Sequence, residues 1–159
     1  MPMATPTFDP TLTITGRNSI ITLTIGGTPT SLLGKLLDYQ RNLDMGRLMA
    51  PGASNGPVYT ARTWVKSRVE IFKFEVRELS KLITLLGSMA GKKDGTCTVW
   101  VRDPDDAANV AALKTDDFAC SVYAEGDVRF GEQGESVATL VIESRKDGDI
   151  TFTPDAATT

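Results

Sequence analysis

The sequence contains no histidine among its 159 residues. This absence excludes serine–histidine–aspartate and cysteine–histidine nucleophiles, histidine-ligated zinc, and the most common general base of enzymes. Carboxylate chemistry stays open, and Asp103 and Asp106 are the residues that would support it. Because the main routes to catalysis are missing, we expect a protein that is not an enzyme.

Cysteine is scarce, with only Cys97 and Cys120 in the chain. Two thiols are too few for a cysteine-only metal site, and both lie on the apolar faces of candidate strands. We therefore expect two buried free thiols rather than a disulfide or a redox pair. The sequence gives no reason to expect a cofactor.

Long hydrophobic runs and an excess of basic charge are absent as well. No apolar run approaches the roughly 18 to 20 residues that cross a membrane, and the first residues lack the basic and apolar segments of a signal peptide. The 17 basic and 20 acidic residues give a net charge of −3, the wrong sign for a phosphate-binding surface. We expect a protein that is made in the cytoplasm, avoids membranes and binds no nucleic acid tightly.

Alternation of apolar and polar residues predicts mostly strands. The predicted strands are 12–15 and 21–25 as a hairpin, 59–76 as one strand or two, 96–102, 119–130 and 136–144 as a second hairpin, and 149–153. The apolar parity of 59–76 changes along its length, which predicts a bulge or bend near Ile71 and Phe72. The length and composition indicate a single domain over residues 1–159, with flexible tails at about 1–10 and 154–159.

Three segments favour helix. Leu79, Leu82, Ile83 and Leu86 follow helical spacing, with Gly91 and two lysines behind them. The leucines of Thr30–Leu43 are also spaced as on a helix, although Gly34 weakens that interpretation. Asp103 suits an N-cap of a short helix that runs from Ala107 to Lys114. The expected fold class is β-rich α+β: an antiparallel β-sandwich or barrel with one flanking amphipathic helix and a long early loop.

That early loop, Asp44–Pro57, has no sustained periodicity and carries five glycine and proline residues. Loops of this length are uncommon in compact domains unless they are functional or mobile. It offers adaptable apolar side chains beside one cation, so we predict an assembly interface there. The candidate residues are Met45, Arg47, Leu48, Met49 and Tyr59. A disordered surface loop is the alternative.

Two site hypotheses compete with assembly. Asp103, Asp105, Asp106, Asp116 and Asp117 could hold a cation, but their order lacks the glycine and closing glutamate of an EF-hand, and helix capping explains three of them. Alternatively, a β-sandwich could bind a small molecule in a pocket between sheet and helix. The aromatic residues proposed to line that pocket are Trp64, Trp100, Tyr123 and Phe130.

The final hairpin, in which Phe118-Ala119-Cys120-Ser121-Val122-Tyr123 begins one strand and Ser136-Val137-Ala138-Thr139-Leu140-Val141 the other, resembles the closing hairpin of tail tube proteins of long-tailed bacteriophages and their contractile-injection relatives. The resemblance implies a virion tail protein, with subunits in stacked hexameric rings around a lumen. It implies partners among its own copies and other tail proteins, DNA only as a non-specific passenger, and an early loop that contacts a neighbouring ring. Another virion component, such as a decoration, tail-completion or baseplate protein, is the alternative.

Overall fold

The computed structural model describes residues 3–7, 16–17, 19–54, 56–88, 91–102, 112–129 and 136–154, with the backbone alone at 126–129. Within these residues, eight strands and one helix form in the order β1 (Ser19–Ile25), β2 (Thr28–Ala50), β3 (Tyr59–Val76), α1 (Leu79–Leu86), β4 (Lys92–Val101), β5 (Leu113–Thr115), β6 (Phe118–Arg129), β7 (Val137–Ser144) and β8 (Phe152–Pro154). The expected β-rich α+β class is confirmed.

Six of these strands close into an antiparallel barrel. The pairing runs β1–β2–β3–β7–β6–β4, and β4 pairs back onto β1 between Ile20↔Trp100 and Thr24↔Thr96. The short strands β5 and β8 extend the sheet beyond β4. The barrel alternative of the expected fold is therefore the one that forms.

The barrel interior is filled by side chains from every one of the six strands. The fully buried cluster contains Ile21, Leu23, Leu32, Phe72, Phe74, Cys97, Val99, Phe118, Cys120, Val122, Leu140 and Ile142. Phe72 is at its centre, with ring centroids 5.9 Å from Phe74 and 6.1 Å from Phe118. Inward residues follow a period of two on each strand, as burial of one sheet face requires.

The amphipathic helix α1 is confirmed and packs Leu79, Leu82 and Leu86 into the same core. It ends at Gly87, whose φ of 77° is left-handed and whose N–H donates to Ile83 O at 2.8 Å. The expected end near Gly91 and its lysines was wrong, because Lys92 and Lys93 already belong to β4.

The helix predicted at Thr30–Leu43 was wrong, since the segment lies within β2. Its leucines occupy both faces of the strand: Leu32 is buried, whereas Leu33 and Leu37 are about half exposed. Leu37 is the extra residue of a bulge, because Leu36 pairs with Phe74 and Asp38 with Lys73. Because of this extra residue, the inward-facing positions of β2 are no longer all two residues apart, and the leucines of the segment are spaced as they would be on a helix.

The bulge predicted near Ile71 and Phe72 was also wrong. Pairing is regular there, and β3 instead skips Ala61 and Lys66 in its register with β2. The inward positions continue from Phe72 to Glu70, which is a buried carboxylate, while Val69 faces outward and is exposed. The apparent change of face arises because a polar residue occupies an inward position.

The remaining strand predictions divide between confirmed and untested. The hairpin of β6 and β7 is confirmed. The strand predicted at 96–102 is confirmed but begins earlier, at Lys92, and the last strand predicted at 149–153 is confirmed but begins later, at Phe152. Lys114, placed at the end of a predicted helix, lies in β5 instead. The predicted segments 12–15 and 107–111, and Asp103 with its neighbours, lie outside the described residues.

The Gly26-Gly27 pair forms the two-residue turn that joins β1 to β2. Both glycines have positive φ, 62° and 82°, and Ile25 pairs with Thr28 across them. Two consecutive positive φ values are typical of a type I′ hairpin turn. This hairpin was missed in the sequence, although a glycine pair between alternating segments is its usual signal.

Candidate assembly interface

A long two-stranded arm extends from the barrel at the place where the sequence predicted a loop. The arm consists of residues 37–50 of β2 and 59–70 of β3, joined by a turn at 51–58. Within the described residues, positions 41–50 and 59–70 pair only with each other, from Arg41↔Glu70 to Ala50↔Tyr59, whereas Asp38, Tyr39 and Gln40 at the base pair with residues 71–73 of the barrel. At roughly 3.3 Å per residue the arm is about 40 Å long. The prediction of a loop over Asp44–Pro57 was therefore wrong up to Ala50.

The turn of the arm is compact. Gly56 N donates to Ala53 O at 2.9 Å, and a Cβ at Gly52 would overlap the carbonyl oxygen of Pro57. Ser54 has a φ of 44°, a left-handed value that is uncommon outside glycine. Close backbone approach explains why small residues occupy this turn.

The register assigns the residues of the arm to two faces, because opposite residues of paired strands point to the same side. The Met45 face contains Leu43, Met45, Arg47 and Met49 of β2, with Thr60, Thr63, Val65 and Arg68 of β3. The Leu48 face contains Asn42, Asp44, Gly46, Leu48 and Ala50 of β2, with Tyr59, Arg62, Trp64, Ser67 and Val69 of β3. The five predicted interface residues all lie on the arm, but Leu48 and Tyr59 point away from the other three.

Both faces expose large apolar side chains. Leu43, Met45, Met49 and Val65 on the Met45 face, and Leu48, Tyr59, Trp64 and Val69 on the Leu48 face, are each between 36% and 55% exposed. Single exposed apolar residues are normal on a protein surface, but four on each face of one two-stranded ribbon are a marked concentration of exposed apolar side chains. Such a surface is typical of a region that another protein covers.

Trp64 stabilises the Leu48 face from within the arm. Its indole lies over Gly46, the only buried position of β2 beyond Gly34. A Cβ at residue 46 would overlap the ring at Trp64 Cε2 and Cζ2. Glycine at this position allows the indole to lie flat on the backbone, and sequence alone gave no signal for that contact.

A hydrogen-bonded carboxylate holds the base of the arm to the barrel. Glu70 is only 2% exposed and accepts from the Tyr39 hydroxyl at 2.7 Å and from the Ile150 N–H at 3.1 Å. Tyr39 packs on Phe72 and Phe152, with centroid distances of 4.6 and 5.3 Å. Burial, together with donation to Glu70, raises the pKa of Tyr39 well above its usual value. No local pattern in the sequence predicts this cluster, because Tyr39, Glu70 and Ile150 are far apart along the chain.

Two ion pairs continue the attachment at the surface. Arg41 Nη2 lies 2.7 Å from Asp149 Oδ2, and Arg68 Nε lies 2.7 Å from Asp149 Oδ1. The two arginines come from opposite strands of the arm, so one carboxylate bridges both. The attached segment also contains Ile150, and the arm base is thus joined to residues 149–152 by charge, hydrogen bonding and aromatic packing.

Those aromatic residues proposed for a ligand pocket that the structure describes do not come together. Trp64 lies on the arm, Trp100 lies on the outer face of β4 under Arg102 at 5.0 Å, and Phe130 is outside the described residues. An open groove of about 430 Å³ between α1 and the β1–β2 turn is lined by Ile25, Thr28, Thr30, Ser80, Lys81, Thr84 and Leu85, none of them aromatic. In the part of the chain that the structure describes, no pocket lined by the proposed aromatic residues is found.

The aspartates proposed for a cation are only partly within the described residues. Asp116 pairs with Lys146 Nζ at 2.5 Å and accepts from Thr151 N, while Asp117 accepts from the Thr98 hydroxyl. Among the described residues, no three potential ligands cluster as a metal site would require. Asp116 and Asp117 hold strands together instead.

Both cysteines are buried and free, as expected. They lie on the inward faces of β4 and β6, and burial raises the pKa of the Cys97 thiol. A thiol with a raised pKa is a poor nucleophile. The part of the chain described here contains no helix with the length and apolar character needed to cross a membrane.

Comparison with known proteins gives a similarity to solved structures but not to a protein family. No protein-family model matches the chain, and no curated protein matches it. A solved chain from the cryo-EM structure of the anti-feeding prophage baseplate, 6-fold symmetrised, aligns with a TM-score of 0.50 at 11% identity. The alignment covers 96% of this chain and 98% of that chain. At this identity, the similarity shows that the two chains share a fold.

Proposed function

We propose that this protein is a structural subunit of a phage tail or a related contractile injection system. The observation that carries the proposal is a barrel whose interior is filled by its own core, from which a long arm projects with apolar side chains on both faces. A filled barrel has no room for a ligand in its core, whereas an exposed apolar arm requires a protein partner. The shared fold with a baseplate chain supports this function.

The more specific proposal is a tail tube subunit that forms stacked hexameric rings, with DNA passing through the lumen without specific contacts. The arm would bind a neighbouring copy, with Met45, Arg47, Leu48, Met49 and Tyr59 in the contact. The net charge of −3 is compatible with a lumen that does not retain DNA phosphates. A baseplate subunit, which forms a closed ring that does not repeat, is the second candidate, because the similar solved chain belongs to a baseplate.

Negative-stain electron microscopy and sedimentation velocity over a concentration series test the proposal. We expect rings or tubes of uniform diameter for the wild type. Single rings at all concentrations would favour the baseplate candidate, and tubes that lengthen with concentration would favour the tail tube. A wild type that stays monomeric throughout would overturn both.

A shortened arm provides the matched variant. Residues 44–67 are removed, and Leu43 is joined to Arg68 by Asn-Gly, which keeps the cluster of Tyr39, Glu70 and Asp149. We expect this variant to unfold cooperatively but to remain monomeric. The control is Met3→Ser, which removes a 95% exposed apolar side chain outside the arm and should assemble like the wild type.

A further inference from the structure

We infer that the arm of each subunit is inserted between two other copies of this chain, with one copy covering the Met45 face and the other covering the Leu48 face. The inference rests on the proposed function, since it requires self-assembly, but it specifies how many neighbours each arm contacts.

The two faces of the arm are equally apolar. Each carries four large apolar residues, with Met45 and Met49 at 41% and 51% exposure on one side and Leu48 and Tyr59 both at 55% on the other. A strand that lies on one partner alternates apolar and polar residues, with the polar residues facing solvent. The distal arm lacks that alternation, and docking on a single surface would leave half of its apolar residues in water.

A two-stranded ribbon is marginally stable by itself, and its two outer edges present unpaired backbone groups. Along residues 42–50 and 59–67, every described side chain is exposed except Gly46 and the half-buried Ala50. Burial on both faces would supply the packing that the ribbon lacks in the isolated subunit.

Charge complementarity identifies the occupant as this chain itself. Residues 43–67 carry three cations, Arg47, Arg62 and Lys66, against the one carboxylate of Asp44, which gives +2. Since the whole chain has a net charge of −3, the remainder has −5. Arg47 lies on the Met45 face and Arg62 on the Leu48 face, where Asp44 also lies, so each face offers a cation to an acidic partner surface and the Met45 face is the more basic of the two.

Polar substitution of each face separately tests the inference. Met45→Ser with Met49→Ser alters one face, and Leu48→Ser with Tyr59→Ser alters the other. We expect each double variant to raise the subunit concentration at half-assembly at least tenfold in sedimentation velocity. Thr63→Ser and Ser67→Thr are conservative controls, one on each face, and should leave that concentration unchanged. Thermal unfolding of the monomers checks that the barrel of each variant is folded.

A second measurement avoids any effect of the variants on folding. A photo-crosslinking amino acid is placed at Met45 or at Leu48, and crosslinked peptides of the assembled protein are identified by mass spectrometry. Crosslinks from the two positions to two different surfaces of the barrel support the inference.

The outcomes separate this inference from the proposed function. Assembly that only one double variant weakens, together with crosslinks from only one face, would overturn the two-neighbour arrangement and leave the structural function standing. A wild type that never assembles would overturn the proposed function, and the arrangement with it.

Discussion

Glu70 shows how one residue defines the boundary between barrel and arm. It occupies an inward position of β3 next to Phe72, where an apolar residue would extend the core. Burying a carboxylate is costly unless its oxygens are hydrogen-bonded, and here Tyr39 and Ile150 supply the donors. The core therefore ends at Glu70, and the chain beyond it is free to leave the barrel.

The Tyr39 hydroxyl should make stability depend on pH above neutrality. Its pKa is raised in the folded protein, mainly by burial and then by donation to Glu70, whereas an unfolded tyrosine titrates near pH 10. The folded state therefore favours the protonated phenol, and the stability this gives is fully present below about pH 10 and is lost as pH rises beyond it. We expect the melting temperature of the wild type to fall more steeply than that of Tyr39→Phe between pH 9 and pH 11.5.

The phenylalanine variant keeps the ring contacts with Phe72 and Phe152, so the comparison isolates the hydroxyl. Tyr59→Phe on the exposed arm is the matched control and should follow the wild type at every pH. If the melting temperatures of wild type and Tyr39→Phe fall in parallel with pH, ionisation of the Tyr39 hydroxyl does not destabilise the folded protein.

At the scale of elements, the sequence predicts those segments in which one face is buried and the period is unbroken. The helix α1 and the part of the β6–β7 hairpin between Cys120↔Ser144 and Glu125↔Thr139 belong to this class, because their register or helical period is regular there. β2 does not, since the bulge at Leu37 shifts its parity and its distal half is apolar on both faces. Because both faces of distal β2 are apolar, the segment lacks the alternation that identifies a strand in a sequence. The same exposed apolar residues are the basis of the proposed interface.

The candidate site was predictable in part for the same reason. The exposed apolar residues Met45, Leu48 and Met49 stood out from composition, and their place on an arm agrees with that prediction without testing the contact itself. The division into two faces could not be predicted, because it depends on the residues that the register skips at Ala61 and Lys66. Long-range contacts such as Arg41 with Asp149 leave no local pattern in a sequence.

Gly46→Ala should disturb the arm while leaving the barrel intact. The added methyl group would overlap the Trp64 indole, which must then turn away from the backbone and expose more of its ring. In a Trp100→Phe background, we expect the fluorescence emission of Trp64 to shift to longer wavelength. Thr63→Ala, the neighbouring position on the Met45 face, should leave the emission unchanged.

The assembly of the Gly46→Ala variant gives a second observable for the same change. Because the indole belongs to the Leu48 face, its displacement should also weaken assembly. An unshifted spectrum would contradict the packing of Trp64 on Gly46.

At the scale of the whole molecule, charge is divided between a basic arm and an acidic remainder. An association between these two parts is weakened by salt, because the Debye length falls from about 10 Å at 0.1 M to about 3 Å at 1 M. We expect the half-assembly concentration to rise severalfold between 0.05 M and 0.5 M sodium chloride, as measured by light scattering.

Neutralising the arm gives the control for this salt effect. Arg47→Gln with Arg62→Gln removes one cation from each face, and its assembly should be weaker at low salt and less sensitive to added salt. Assembly that strengthens with salt in both proteins would contradict the charge argument and indicate that apolar contact dominates.

The attachment of the arm to Asp149 and Ile150 also has a mechanical consequence. Any force that a neighbour applies along the arm reaches both of its strands, and Arg41 and Arg68 transmit that force to a single carboxylate more than 80 residues away in sequence. From there it passes through Ile150 into β8 and across β5 to the barrel wall. A pull on the arm is thus resisted by the contacts of Asp149 and Ile150 and by the pairing of β8, β5 and β4, in addition to the barrel pairings of β2 and β3.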